Sequence, residues 1–311
     1  MGASLADWSA HRLRVDGSSR RHWLVAGVAG GFGSVFGTPI AGTVFALEFV
    51  VLGRLDYASL APALVAALVG DFTTRSLGVG HTHYPSVPQV ALSPSLFLLW
   101  ILFALLVALV AVVFIELSHL LKKRGEAWAP PLPLRLFGGG LALVLAWRLV
   151  GTSEYLGLGI PVIVRAFSDP DLPVYAFALK LLFTSLTLGA GFLGGEVTPL
   201  FFVGAALGSV WARWVGIPLE LGAGVGMAAV FAVASNTPLA LSIMAVEVLG
   251  AGVLPHVVIV CVVGYLLSGH RSIYPAQRVQ RGKGGAWFSK PTPLREVGAT
   301  KGKSGDTPPP G

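Results

Sequence analysis

Between Ser95 and Ile115 the chain runs through 21 consecutive positions without a charged side chain. A helix that crosses the hydrocarbon core of a bilayer needs about 20 apolar residues. This run is too long, and too far from the first residue, to be a secretory leader. The strict alternation of an outer-membrane barrel is missing. Composition points the same way: 12% of residues are charged and 54% hydrophobic, where soluble domains carry about 25% charged residues. The expected class is an all-α integral membrane protein.

Further apolar segments are expected at 22–52 (divided at Gly37-Thr38-Pro39), 57–70, 134–151, 155–168, 174–192, 197–215, 221–234, 237–250 and 253–268. Several are too short to span, so they must be tilted, broken or packed against others. The 40 glycines recur in small-xxx-small pairs such as Gly27/Gly31, Gly33/Gly37, Gly204/Gly208 and Gly222/Gly226, which let helices approach closely. Residues 1–280 are read as one membrane domain. Residues 281–311, rich in Gly, Lys, Pro and Thr, are read as a basic, disordered tail.

The net charge of +7 sits outside the apolar runs. Arg271–Lys303 holds eight Lys or Arg against one Glu, and Lys122-Lys123-Arg124 follows the longest run. By the positive-inside rule both segments are cytoplasmic. A basic tail beside a membrane domain reports topology before it suggests nucleic acid. Cys261 is the single cysteine, so no intrachain disulfide or thiolate metal site is expected.

Gly27–Glu48 aligns without gaps to Gly226–Glu247 at an offset of 199, with eight identities that include Thr38-Pro39/Thr237-Pro238 and Glu48/Glu247. Such duplication marks transporters built from two related halves. Upstream, Gly2-Ala3-Ser4-Leu5 matches Gly204-Ala205-Ala206-Leu207 at an offset of 202. On that offset the counterpart of residues 195–202 falls before Met1, so the chain is expected to be truncated at its N-terminus.

Those residues belong to the stretch around which the rest is arranged, Leu188–Gly204. Five small residues, Gly189, Ala190, Gly191, Gly194 and Gly195, precede Glu196-Val197-Thr198-Pro199 and a new apolar run. Pro199 suits a first helical turn, and Thr198 is a candidate cap. A helix that begins inside a membrane directs free N–H groups at whatever lies before it, as in broken-helix anion sites. The stretch reads either as an anion site at membrane depth or as a turn whose glycines serve close packing only.

Three separated motifs resemble the CLC family of chloride channels and anion/proton antiporters: Gly37-Thr38-Pro39-Ile40-Ala41-Gly42 through Glu48, Gly194-Gly195-Glu196-Val197-Thr198-Pro199, and Ile273-Tyr274. The resemblance covers roughly residues 1–280. It implies an inverted-repeat helical bundle that works as a homodimer, with an anion pathway in each subunit and Tyr274 on a short final helix. Gly-Gly-Glu-Val-Thr-Pro is most similar to the fluoride-specific branch, where the matching Glu and Thr are linked to fluoride transport. Tyr274 matches the tyrosine whose hydroxyl reaches the central anion. Glu48 matches a family glutamate. Phe49 occupies a position that is a proton-transfer Glu in many chloride/proton exchangers. The family's early selectivity loop and its Gly-Arg-Glu-Gly turn have no counterpart here.

The resemblance thus implies fluoride/proton antiport, with Gly194, Gly195, Glu196, Val197, Thr198 and Tyr274 around the anion. Fluoride is strongly hydrated and needs many donors in place of water. Glu196 beside an anion is repulsive when ionised, and burial favours its protonated form, so it is the proton-coupling candidate. As a structural cap it would instead accept from helix N-termini. Glu48 and Glu247 are expected to bond to backbone or sit at helix ends rather than carry protons. Glu116-x-x-His119 lacks the second copy that a bundle metal site requires, so neither a metal nor another cofactor is expected. His81 and His83 are read as solvated, and Lys180 and Arg148 as snorkelling. The alternatives are chloride transport within the same family and an inactive or noncatalytic membrane fragment. A membrane-embedded enzyme, which needs paired catalytic groups, ranks last.

Overall fold

A computed structural model describes residues 1–128, 131–274, 276–283 and 287–294. Its first part holds α1 (Gly2–Arg12), α2 (Gly17–Phe36), α3 (Pro39–Val50), β1 (Val51–Leu52) and α4 (Leu60–Ser76). Two long helices follow, α5 (Pro94–Trp128) and α6 (Leu132–Val150), and then the short α7 (Ile160–Arg165). The rest comprises α8 (Ala176–Gly189), α9 (Val197–Val215), α10 (Leu219–Ser235), α11 (Pro238–Leu249), α12 (Leu254–Leu267), β2 (Arg278–Arg281) and β3 (Trp287–Pro293).

Among the described residues, three helical stretches are long and apolar enough to cross a membrane: Tyr57–Ser76, Pro94–Ala127 and Leu132–Val150. At 1.5 Å per residue the 35 residues of α5 reach about 50 Å, well beyond a hydrocarbon core of about 30 Å. The helix therefore carries Lys122-Lys123-Arg124 in its own last turns. At the centre lies α10, buried continuously from Leu221 to Ser235. A helix apolar on every side belongs in the middle of a bundle.

The duplication is visible in the backbone. Each copy is a helix, a turn closed by a left-handed residue, and a second helix opened by proline. Gly37 (φ 67°) ends α2 and its counterpart Asn236 (φ 61°) ends α10. Thr38 (φ −126°, ψ 74°) and Thr237 (φ −128°, ψ 62°) then precede Pro39 and Pro238 at the starts of α3 and α11, where proline loses nothing.

The flanking helices repeat the relationship. Gly2 of α1 lies against the Gly27 carbonyl of α2, and Gly204 of α9 against the Gly226 carbonyl of α10. A Cβ at Gly2 or Gly204 would collide with backbone, so these crossings require glycine. The offset of 202 between α1 and the later part of α9 is therefore a structural correspondence.

Two expectations are corrected. Ile273 and Tyr274 are not on a final helix. Ile273 N–H donates to Ala234 O (3.0 Å), Gln277 N–H donates to Tyr274 O (3.0 Å), and β2 opens at Arg278. The tail from 281 is also not wholly irregular. β2 pairs in parallel with β1 (Val51↔Arg278, Leu52↔Val279) and antiparallel with β3. Trp287-Phe288 opens β3 with good strand formers that the surrounding Gly, Lys and Pro mask in composition. Residues 295–311 lie outside the described residues.

Candidate functional site: the start of α9 and Tyr274

Glu196 is the N-cap residue of α9, and its side chain makes no capping bond. Leu200 N–H donates to Glu196 O (3.2 Å). Ahead of it, the N–H groups of Val197 and Thr198 have no intrahelical acceptor, and Pro199 has no N–H to offer. Thr198 lies inside the helix and is not the cap, a correction. The α9 start therefore keeps donors free, with the positive end of the helix dipole behind them.

Gly194 and Gly195 are exposed, and a Cβ on either would meet nothing within 4 Å. The one glycine of this connection at positive φ is Gly191 (φ 94°), where the chain turns away from α8 over Arg135. The backbone at 194–195 is thus bare, and left-handed geometry in this connection is confined to Gly191.

Tyr274 is partly covered, in the segment that follows α12. Val197 and Tyr274 both pack against the main apolar core. The Phe49 ring meets Tyr274 edge-on, with centroids 4.7 Å apart at 87°. Ring contacts continue through Phe45 and Phe231 to Phe201 on α9. The residue type at position 49 thus sets the wall against which the tyrosine rests.

Sequence reasoning missed the clamp that holds Tyr274. Gln277 Nε2 donates to Phe49 O (2.9 Å) and Ser235 O (3.1 Å). Asn236 Nδ2 donates to Arg271 O (2.8 Å) and Gln277 Oε1 (3.2 Å). Both amides are almost fully buried, where unpaired polar groups are costly. The available signal was Asn236 itself, a non-glycine in the left-handed position that Gly37 fills in the first copy.

Glu48 and Glu247 lie apart from this site. Glu247 accepts from Ile40 N–H (3.1 Å) and Ala41 N–H (2.7 Å) at the start of α3. Glu48 accepts from Leu239 N–H (3.2 Å) and Ala240 N–H (2.9 Å) at the start of α11. Glu116 pairs with Arg271 (2.6 Å). His81 is mostly covered, its Nε2 2.8 Å from Ser34 O, contrary to the solvated reading. Lys180 does not snorkel either. It is 1% exposed and donates to Tyr155 O (3.1 Å) and Gly157 O (2.6 Å), tying down the irregular segment before α7.

Duplicated broken helices around an open helix start define a multi-pass membrane protein of the inverted-repeat class. The family model described as "Voltage gated chloride channel" matches residues 1–269, and the chain belongs to that family. It is 42% identical over 294 residues to "Chloride/fluoride channel protein" of Pseudomonas syringae pv. tomato, covering 91% of this chain and 64% of that protein. The chain thus spans less than two thirds of that relative. It is 31% identical to "Voltage-gated ClC-type chloride channel ClcB" of Salmonella typhimurium over 88% of this chain and 68% of the other. The structure titled "Crystal structure of a CLC-type fluoride/proton antiporter" superposes with a TM-score of 0.86 at 37% identity, covering 89% of this chain and 70% of that one. A slow cyanobacterial Cl-/H+ antiporter matches at a TM-score of 0.72 and 17% identity, a likeness of fold alone.

Proposed function

We propose that this chain forms the transport core of a fluoride/proton antiporter that exports fluoride. The observation that carries the reading is the placement of Glu196 beside the unbonded N–H groups of α9, the helix to which the rings of Phe49, Phe45, Phe231 and Phe201 connect Tyr274. Backbone donors, the Thr198 hydroxyl and the Tyr274 hydroxyl replace water around the anion. Gly194 and Gly195 leave the approach unobstructed. A carboxyl at that point has to be protonated to sit beside fluoride, which makes Glu196 the group that couples proton to anion. The names of the Pseudomonas relative and of the 37%-identical structure support fluoride.

The working unit in this reading is a homodimer in the cell membrane, a transporter and not an enzyme, with its C-terminal tail in the cytoplasm. The experiment is efflux from protein-loaded liposomes. Fluoride leaves with uptake of protons, and chloride leaves at least tenfold more slowly. Equal or faster chloride efflux supports the second reading, chloride transport, which the ClcB name favours. No flux of either ion leaves the inactive-fragment reading in place.

A further inference from the structure

We propose that the groove between the end of α5, the start of α6 and the end of α8 seats an anionic phospholipid, with its phosphate at Arg124 and Arg135. The groove is a cavity of about 680 Å³, within the size range of small-molecule sites. Leu121, Leu134, Ala142 and Leu186 wall it, and glycines form its floor because α6 lies directly on the end of α8, with Gly139 against Ala190. No residue of α6 is buried, and Phe137, Leu141 and Leu145 stand exposed along it. This helix therefore meets hydrocarbon, and a cavity at its foot opens to acyl chains.

Charge selects the occupant. Arg124 and Arg135 line the groove, and the residues just before Arg124, Lys122 and Lys123, are exposed. The opposing carboxylate is Glu126, 3.8 Å from Arg135 Nη1. Arg135 is held in place, its Nε donating to Ala190 O (3.2 Å), which fixes a guanidinium at the apolar mouth. Guanidinium groups bind phosphate oxygens in a planar fork. A basic pocket between membrane helices beside an apolar slot fits a lipid phosphate with its chain, and a zwitterionic lipid fits it less well.

The test is lipid retention by the purified full chain, read by native mass spectrometry and thermal shift in neutral detergent. Phosphatidylglycerol is retained at least fivefold over phosphatidylcholine and raises the melting temperature. Arg124→Gln reduces that preference toward one. So does Gly138→Leu, which fills the slot and leaves both arginines in the chain, since a Cβ there meets nothing within 4 Å. Arg148→Gln, at the far end of α6, leaves it unchanged. Two results overturn the proposal: equal stabilisation by inorganic phosphate alone, or a lipid preference indifferent to Arg124→Gln and Gly138→Leu.

Discussion

Glu48 and Glu247 each end one repeat helix and close the start of the other. Glu247 holds Ile40 and Ala41 N–H at the head of α3, and Glu48 holds Leu239 and Ala240 N–H at the head of α11. Four helix-terminal donors, orphaned by geometry, are thereby satisfied across the pseudo-twofold relation between the copies. A hydrogen bond to a charged group is worth about 1.5–3 kcal/mol. Glu48→Gln and Glu247→Gln should each lower stability by about 1–3 kcal/mol in thermal unfolding in detergent. On the proposed fluoride/proton exchange, the proton-to-fluoride ratio of whatever protein folds should stay unchanged. A ratio altered by Glu48→Gln would show that this carboxylate carries protons.

That these glutamates bond to backbone was legible in the sequence, because Thr-Pro and a closing Glu recur at one offset; that each serves the other copy's helix is visible only in three dimensions. Close helix packing was legible too, from pairs such as Gly27/Gly31, Gly204/Gly208 and Gly222/Gly226, but that Gly2 meets Gly27 and Gly204 meets Gly226 emerges only in the fold. What escaped was set by pairing between distant segments. The strand Arg278–Arg281 exists because β1 and β3 lie beside it, and no local pattern announces a two-residue β1. Lys180 was misread for a similar reason: an ammonium in an apolar run snorkels unless carbonyls reach it, and those of Tyr155 and Gly157 do. At the candidate site the motif marked Glu196 and Tyr274. The Gln277–Asn236 clamp behind the tyrosine is visible only in three dimensions.

Thr38 and Thr237 occupy equivalent positions with unequal partners. The Thr237 hydroxyl lies 2.6 Å from Ser235 Oγ. In the first copy Phe36 stands where Ser235 does, and the Thr38 hydroxyl, fully buried, has no partner among the described groups. Removing the Thr237 hydroxyl costs its bond to Ser235 Oγ, which keeps its own bond to Phe231 O (2.6 Å), whereas removing the unpaired Thr38 hydroxyl costs no bond. Thr237→Val should therefore cost about 1–2 kcal/mol, and Thr38→Val should be close to neutral or stabilising. Melting temperatures of the two variants, compared side by side, check the order.

Glu196→Gln keeps shape and polarity at the head of α9 but removes the exchangeable proton. Proton-coupled fluoride efflux should fall at least tenfold, measured by simultaneous fluoride and proton electrodes on liposomes. Tyr274→Phe keeps the edge-on packing against Phe49 and deletes one donor. A lost hydrogen bond of about 1–2 kcal/mol corresponds to roughly five- to thirtyfold weaker anion binding. Coupling that persists in Glu196→Gln would remove this carboxyl from the mechanism.

Lys283 ties the β2–β3 strap to the end of α12. Its Nζ donates to Tyr265 O (2.7 Å) and Ser268 Oγ (2.8 Å) and lies 4.0 Å from the Tyr265 ring centre. Its N–H donates to His270 Nε2 (3.2 Å). Burial lowers the ammonium to about 7 from an ordinary 10.5. A released strap binds the proton more readily than a docked one, so docking strengthens as pH rises from about 7 toward 10.5 and is weakest below about 7. Amide hydrogen exchange at Val279, whose strand pairs with β1 and β3, should show more protection at pH 9 than at pH 6 after correction for intrinsic rates. Lys283→Met retains the packing against Tyr265 and removes the titrating group, and it should flatten the dependence. A slope that survives Lys283→Met would show that the dependence arises from a group other than this lysine.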